Sequence, residues 1–105
     1  MKIVLNKCYG GFSLSPEASK MYNKLKNLKG KKAIDPKFGF LPNEYDDRFK
    51  SRIDPVLIRV VEELGEQKAS GKLASLEVIE IPDDVDNPHI DEYDGIETLE
   101  EGRRW

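Results

Sequence analysis

The chain has 105 residues, the length of a single domain, with 38% hydrophobic residues, 35% charged residues and a net charge of −3. The acidic balance argues against direct binding to nucleic acid, and no stretch approaches the ~20 apolar residues that span a membrane. One cysteine excludes an intrachain disulfide framework and a multi-cysteine zinc site, and it favours a reducing cytosol. We therefore expect one soluble domain over residues 1–105, without a membrane partner.

The first half of the chain predicts one strand and the starts of two helices. Lys2–Asn6 is short and rich in β-branched residues, which is typical of a strand buried on both faces. Ser15–Pro16 and Asp54–Pro55 each combine an N-cap residue with a proline at the first helical position, and Gly30 stands where the first helix would end. Between the helices, residues 31–53 predict a loop that packs its aromatic residues over the core.

The second half predicts three strands. Leu73–Ile81 favours a strand that ends at Pro82, and Asp94–Gly95 is a type I′ turn dipeptide between the strands His89–Tyr93 and Ile96–Glu100. The element order β-α-α-β-β-β then predicts an α+β domain. We expect one sheet of about four strands, with the two helices packed on one face.

The charges divide unequally along the chain. Residues 1–52 contain twelve Lys or Arg and five Asp or Glu, a net +7, whereas residues 53–105 contain five and fifteen, a net −10. Either the two halves attract each other within one domain, or the acidic face of residues 77–101 engages a basic partner. On the second interpretation, Glu97, Glu100 and Glu101 are exposed acids of the last strand. The first predicted helix also has a lysine face, interpreted as solvated rather than as a grip on a polyanion: Lys20, Lys24, Lys26, Lys29, Lys31 and Lys32.

The segment Tyr9–Ser13 lies between the first strand and the first helix. Backbone amides and the helix dipole at such a junction can receive a phosphate or carboxylate, and two flanking aromatic residues can hold a planar ring. The alternative is a tight turn whose aromatic residues pack into the core. The candidate ligand-binding residues are Asn6, Tyr9, Gly10, Gly11, Phe12, Ser13, Arg103, Arg104 and Trp105.

The segment Arg103–Trp105 offers two guanidinium groups and an indole. Three interpretations are open: the segment clamps a phosphorylated ligand, packs back onto the acidic strands, or contacts a neighbouring subunit in a homo-oligomer.

Cys8 and His89 would form a thiol nucleophile and its base only if they met in space, with Asp91 orienting the histidine. A lone cysteine after a buried strand is more often a small hydrophobic residue. We therefore predict no catalytic residues, no metal site and no cofactor.

Five segments form a recognisable set: Asn6–Ser15 (NKCYGGFSLS), Asp54–Leu57 (DPVL), Val60–Gly65 (VVEELG), Val78–Val85 (VIEIPDDV) and Tyr93–Glu97 (YDGIE). This set resembles a largely uncharacterised family of small proteins encoded by tailed bacteriophages and prophages, over nearly the whole chain except residues 24–50. The resemblance implies a location in the host bacterial cytoplasm and stoichiometric action on host machinery. Some small phage proteins of this kind sequester immune nucleotide signals.

Three hypotheses about function follow. The first is a non-enzymatic phage counter-defence protein that sequesters a small nucleotide-like signal, with Tyr9–Ser13 as the cradle and Arg103 and Arg104 as counter-charges. The second is a protein-binding inhibitor whose acidic face over residues 77–101 covers a basic host surface, as a nucleic-acid mimic would. The third is a thiol enzyme built on Cys8 and His89.

Overall fold

A computed structural model describes residues 1–41, 48–85 and 88–100. A 3₁₀ turn, Gly30–Lys32, follows the first helix. In chain order the helices and strands are β1 (Lys2–Asn6), α1 (Pro16–Lys26), α2 (Arg48–Arg52), α3 (Pro55–Leu64), α4 (Glu66–Ala69), β2 (Leu76–Glu80), β3 (His89–Tyr93) and β4 (Ile96–Glu100). The predicted α+β class is confirmed.

The four strands form two separate sheets. β1 pairs with β2 in antiparallel fashion, with Val4 opposite Val78, and β3 pairs with β4, with Asp91 opposite Thr98. The predicted single sheet of about four strands is therefore wrong. Where β4 passes the end of β1, the Asn6 amide donates to a side-chain carboxylate of β4 instead of to a backbone carbonyl, so no ladder forms between them.

β1 is buried on both faces, as predicted, and it separates two hydrophobic cores. Val4 faces the larger core, to which α1, α3 and α4 contribute, so the two predicted helices do pack on one face. Ile3 and Leu5 face the opposite way, towards α2 and the β3–β4 hairpin. The buried members of the second core are Ile3, Leu5, Phe49, Ile81 and Leu99. The hairpin thus covers the back of the β1–β2 sheet instead of extending it.

The predicted helix starts are confirmed by their caps. The Ser15 hydroxyl accepts a hydrogen bond from the first turn of α1 at 3.1 Å, and the Asp54 carboxylate accepts one from the first turn of α3 at 2.9 Å. The predicted end of α1 is wrong. Asn27, with a left-handed φ of 55°, ends the helix three residues before Gly30, because asparagine tolerates this conformation at a C-cap.

The segment predicted as a loop contains the short helix α2. Phe49 packs into the second core as expected, but Phe38 and Phe40 are exposed, contrary to the predicted packing. A helix of five residues has too few turns to produce a readable hydrophobic period, which is why the sequence did not indicate it. Among the residues with a described position, no helix is long and apolar enough to cross a membrane.

The turn between β3 and β4 matches its prediction. Asp94 and Gly95 have φ values of 50° and 94°, and a type I′ turn requires positive φ at both central residues. A Cβ atom on Gly95 would overlap the carbonyl oxygen of Tyr9, so glycine also permits the turn to touch the segment that follows β1.

Asn6 is fully buried and connects three parts of the chain. Its Nδ2 atom donates to the carbonyl oxygens of Cys8 and Gly95, both at 2.7 Å, and its Oδ1 accepts from the Ser75 amide at 2.8 Å. Its backbone amide donates to Oε1 of Glu97 at 2.9 Å. The side chain at the end of β1 therefore holds both the hairpin turn and the start of β2.

The substitution Asn6→Ala is expected to lower the free energy of unfolding by about 3 kcal/mol or more, because it leaves three backbone groups without their partner. Urea denaturation followed by circular dichroism measures the loss. Asn23→Ala is the control, since it removes only two hydrogen bonds, both to Ile34, and places a better helix former in α1, so that it should cost less, about 1–2 kcal/mol. Equal losses for the two variants would contradict a central role for Asn6.

Candidate functional site

The glycine-rich segment forms the floor of a groove between two turns. The Leu14 amide donates to the Gly39 carbonyl at 2.8 Å, and the Gly71 amide donates to the Ser13 carbonyl at 2.9 Å. Residues 10–14 are therefore held by the turn of residues 35–40 on one side and by the turn of residues 70–73 on the other. Main-chain hydrogen bonds fix all three segments relative to one another before any ligand binds.

Gly10 allows the floor to approach one of these turns. A Cβ atom on Gly10 would overlap the carbonyl oxygen of Leu73, so any other residue would push the two segments apart. Gly11 has a φ of 88° and open space around its Cβ position, so it serves backbone conformation alone. Both glycines therefore have a structural role, which agrees with the interpretation of this segment as a tight turn.

The groove has a volume of about 310 Å³ and exposes apolar side chains on both walls. Phe38 and Phe40 are 60% and 64% exposed, and Leu73 across the floor is 65% exposed. The two phenylalanine rings are nearly parallel, at an interplanar angle of 8° with centroids 6.1 Å apart. We call this feature the aromatic groove; its lining residues are Gly10, Ser13, Leu14, Pro16, Pro36, Lys37, Phe38, Phe40, Gly71, Lys72 and Leu73.

Two lysines give the aromatic groove a positive charge. Lys37 lies on the wall with the phenylalanines and Lys72 on the wall with Leu73. Within the described parts of the chain, neither ammonium group forms an ion pair. The carboxylate of the nearby Asp35 accepts a hydrogen bond from the Lys37 backbone amide at 3.0 Å. The lining can therefore attract an anion with two cations from opposite sides.

The start of α1 contributes little to anion binding. Pro16 has no amide hydrogen, and the Ser15 hydroxyl already occupies the Ala18 amide in the first turn. Glu17 adds a negative charge there. The lysines, rather than the helix amides suggested by the sequence, are the donors suited to an anion in this groove.

The predicted ligand residues have different positions in the fold. Gly10 and Ser13 line the aromatic groove, and Tyr9 is exposed beside it. Asn6 is buried with its side-chain atoms already hydrogen-bonded, and Phe12 packs against the larger core with the Arg52 guanidinium 3.7 Å from its ring centroid. Three further candidates, Arg103, Arg104 and Trp105, lie outside the described residues.

The sequence does not predict a ligand-binding role for the aromatic and lysine side chains that line the groove. The sequence predicts core packing for Phe38 and Phe40, because an irregular segment rich in aromatic residues usually covers a core. Lys37 and Lys72 carry no motif, and they meet only because two distant turns flank the same floor. The sole available signal was the interruption of residues 36–42 by Pro36, Gly39 and Pro42, which indicates a turn whose side chains point outwards.

Behind the glycine-rich segment lies a buried ion pair. The Arg52 guanidinium from α2 donates to the Glu97 carboxylate of β4, and both residues are almost completely removed from solvent. Burial lowers the pKa of Arg52 from its usual value, and the neighbouring carboxylate opposes this shift. The Lys7 ammonium also donates to the Glu97 carbonyl at 2.9 Å. The expectation that Glu97 belongs to an exposed acidic surface is wrong, because this carboxylate is buried and paired with Arg52.

Other ion pairs also connect the basic and acidic halves of the chain. Lys2 pairs with Glu62 at 2.7 Å, and Arg48 pairs with Glu92 at 3.2 Å. Both pairs are partly exposed, so each contributes little to stability on its own. Together with the buried pair, they support the interpretation that the charge split is used within the domain.

The structure does not bring Cys8 and His89 together. Cys8 lies beside the turn of the β3–β4 hairpin, because the Asn6 side chain contacts the carbonyls of both Cys8 and Gly95. His89 is at the other end of β3, roughly 13 Å along the strand from Tyr93. In the part of the chain that the structure covers, no cluster of three or more His, Cys, Asp or Glu side chains has the arrangement of a metal site.

Comparison with known proteins gives no family assignment: no family, no curated protein and no solved structure matches the chain. The resemblance to phage proteins therefore stays a prediction. Any assignment of function rests on the geometry of the groove and its surroundings.

Replacing Arg52 by methionine is expected to lower the free energy of unfolding by about 3–5 kcal/mol, because it leaves the Glu97 carboxylate buried without its partner. Adding Glu97→Gln should restore part of this loss, since the glutamine is neutral and can still accept from the Asn6 amide. Urea denaturation of the two single variants and the double variant gives the coupling energy. Additive losses would show that the two side chains do not interact.

Proposed function

We propose that the protein is a non-enzymatic binding protein that sequesters a small nucleotide-like ligand in the aromatic groove. In keeping with the phage resemblance, we propose that it acts as a counter-defence protein in the cytoplasm of a host bacterium. One observation carries the proposal: a preformed groove combines an exposed phenylalanine pair with lysines on both walls. A planar ring and an attached anionic group are the chemistry that matches this combination.

The phenylalanine pair supports the ring contact. Two aromatic side chains that each expose about 60% of their surface leave apolar area in contact with water, and a stacked base would cover part of this area. Base–aromatic stacking contributes about 1–3 kcal/mol per base and does not depend on the identity of the base. Leu73 on the opposite wall offers an apolar contact to the second face of the ring.

The lysines support the anionic contact. An ammonium group binds phosphate as a point charge, and neither Lys37 nor Lys72 forms an ion pair among the described residues. The groove volume of about 310 Å³ is at the lower end of small-molecule sites, which favours a ligand of a single nucleotide unit.

The lining supports binding rather than catalysis. Among the residues that the structure describes, its polar side chains are the hydroxyl of Ser13 and the two ammonium groups, and none of the lining residues is a histidine, a cysteine or an acid. General acid–base chemistry needs a group that titrates near the working pH, and covalent catalysis needs an activated nucleophile. A ligand held here would be retained unchanged, which is the requirement for sequestration.

Isothermal titration calorimetry with ADP as the probe tests the groove. The double variant Lys37→Gln/Lys72→Gln should weaken binding at least tenfold, because charge-assisted hydrogen bonds to phosphate contribute about 1.5–3 kcal/mol each. Phe38→Ala/Phe40→Ala should weaken it by about the same factor through loss of stacking. Lys50→Gln, an exposed lysine on α2, is the control and should bind like the wild type. Unchanged affinity in both double variants would refute the groove as the site.

The natural ligand can be identified by native mass spectrometry of protein purified from phage-infected and uninfected cells. We expect a retained small molecule whose fragments include a nucleobase, present only in the first sample. The same spectrum gives the number of subunits and therefore tests the predicted homo-oligomer. Substitution of Arg103 and Arg104 by glutamine tests their predicted role as counter-charges, because a clamp would lose the retained ligand.

A protein-binding inhibitor is the second candidate, and the surface of β3 favours it. Asp91, Tyr93 and Asp94 are exposed together at this edge of the hairpin. Other acids of residues 77–101 are already engaged, since Glu97 is buried with Arg52 and the Glu92 carboxylate pairs with Arg48. The acidic surface available to a basic partner is therefore smaller than the sequence suggests.

The substitutions Asp91→Asn and Asp94→Asn separate the two candidates. Asparagine preserves the turn, because it tolerates positive φ as aspartate does. A nucleotide-binding protein should keep its affinity for ADP and its activity in infected cells. An inhibitor that covers a basic surface should lose activity, and added salt should weaken its complex further. Loss of activity with unchanged ADP binding would favour the inhibitor.

A further inference from the structure

The segment between residues 20 and 40 presents an exposed surface with an excess of positive charge. Asp35 is the only acid in this segment, and it lies next to the aromatic turn. We call the following six exposed lysines the lysine surface: Lys20, Lys24, Lys29, Lys31, Lys32 and Lys37. Within the described residues none of them forms an ion pair, in contrast to Lys2, Lys26, Arg48 and Arg52.

Two hydrogen bonds hold this surface in one conformation. The Asn23 side chain of α1 donates to the Ile34 carbonyl at 2.9 Å and accepts from the Ile34 amide at 2.7 Å. Ile34 itself is buried in the larger core. Lys20 precedes Asn23 by three residues and therefore lies on the same side of the helix. The lysines of α1 and those of the following loop thus belong to one ordered face.

The lysine surface ends at the stacked phenylalanines. Gly39, between Phe38 and Phe40, accepts a hydrogen bond from Leu14 just before α1, whereas the 3₁₀ turn with Lys31 and Lys32 follows the other end of the helix. A helix of eleven residues is about 16 Å long. The lysines therefore extend along the helix from an aromatic platform, over a distance that several phosphates of a single strand can occupy.

We propose that the lysine surface and the Phe38–Phe40 pair bind single-stranded nucleic acid. Proteins that bind single strands combine a row of cations for the backbone with aromatic rings for the bases, and this face has both. The negative net charge does not oppose such binding, because exposed charges act over about 10 Å and the acidic hairpin packs on the opposite face of the β1–β2 sheet from α1. The inference goes beyond the proposed function, with which it shares the phenylalanine pair and Lys37.

Fluorescence anisotropy with a labelled single-stranded DNA of about ten nucleotides tests the proposal over a series of salt concentrations. Each phosphate that a lysine neutralises contributes about −0.7 to the slope of log K against log salt. The triple variant Lys20→Gln/Lys24→Gln/Lys31→Gln should therefore make the slope about 2 units shallower. Lys50→Gln, on the opposite side of the sheet, should leave the slope unchanged. Thermal melting establishes that the variants fold.

The contribution of base stacking to DNA binding is tested separately. Phe38→Ala/Phe40→Ala should weaken DNA binding roughly tenfold with an unchanged salt slope, because no charge is lost. The triple lysine variant should retain the affinity of the wild type for ADP, so failure here is distinguishable from failure of the proposed function. The proposal is overturned if the wild type does not bind the DNA or if the lysine variant binds it like the wild type. Equal binding of polyglutamate, with no effect of the phenylalanine substitutions, would also overturn it in favour of an acidic protein partner.

Discussion

The buried contact between Arg52 and Glu97 joins α2 to β4 and holds the carboxylate that binds the end of β1. Removal of two charges from water costs several kcal/mol per ion, which hydrogen bonds at the remaining positions offset. This compensation is incomplete for Arg52, whose Nε atom is buried without a hydrogen-bond partner among the described residues. Here the Glu97 carboxylate also accepts from the Asn6 amide, and the guanidinium lies against the ring of Phe12. Such a pair contributes less to stability than to the choice of one arrangement. It fixes the register between the end of β1 and the hairpin, which no backbone ladder defines.

The consequences of this contact reach the aromatic groove. With β4 anchored by Glu97, the hairpin turn touches the segment after β1, where the absence of a side chain on Gly95 lets it approach Tyr9. The next residue, Gly10, lies directly against Leu73, which forms one wall of the groove. A continuous series of close backbone contacts therefore connects the buried ion pair to the binding surface. Rigidity of this kind reduces the conformational cost of binding a small ligand.

Local chemistry made much of the fold predictable. The caps at Ser15 and Asp54 and the Asp94–Gly95 turn depend on neighbouring residues alone, so their sequence signals are sufficient. The division into two sheets depends on Arg52 and Glu97. Arg52 belongs to a helix too short to produce a hydrophobic period, and Glu97 resembles the surface acids around it in the sequence. The groove is equally hard to predict. Phenylalanine is typical of a core position, and only the packing of distant turns leaves Phe38 facing solvent. The glycine-rich segment was recognised as important, but its role as a floor required Leu73, sixty residues further along the chain.

The charge distribution illustrates why net charge is a poor guide to partners in a domain of this size. Several acids of the second half are used internally: Glu97 is buried, and the carboxylates of Glu62 and Glu92 pair with Lys2 and Arg48. The lysines of α1 and the following loop, apart from Lys26, have no such partners among the described residues. A chain with a charge of −3 therefore presents a strongly positive face. Because exposed charges are screened within about 10 Å, a partner interacts with the charge of this face rather than with the net charge of the protein.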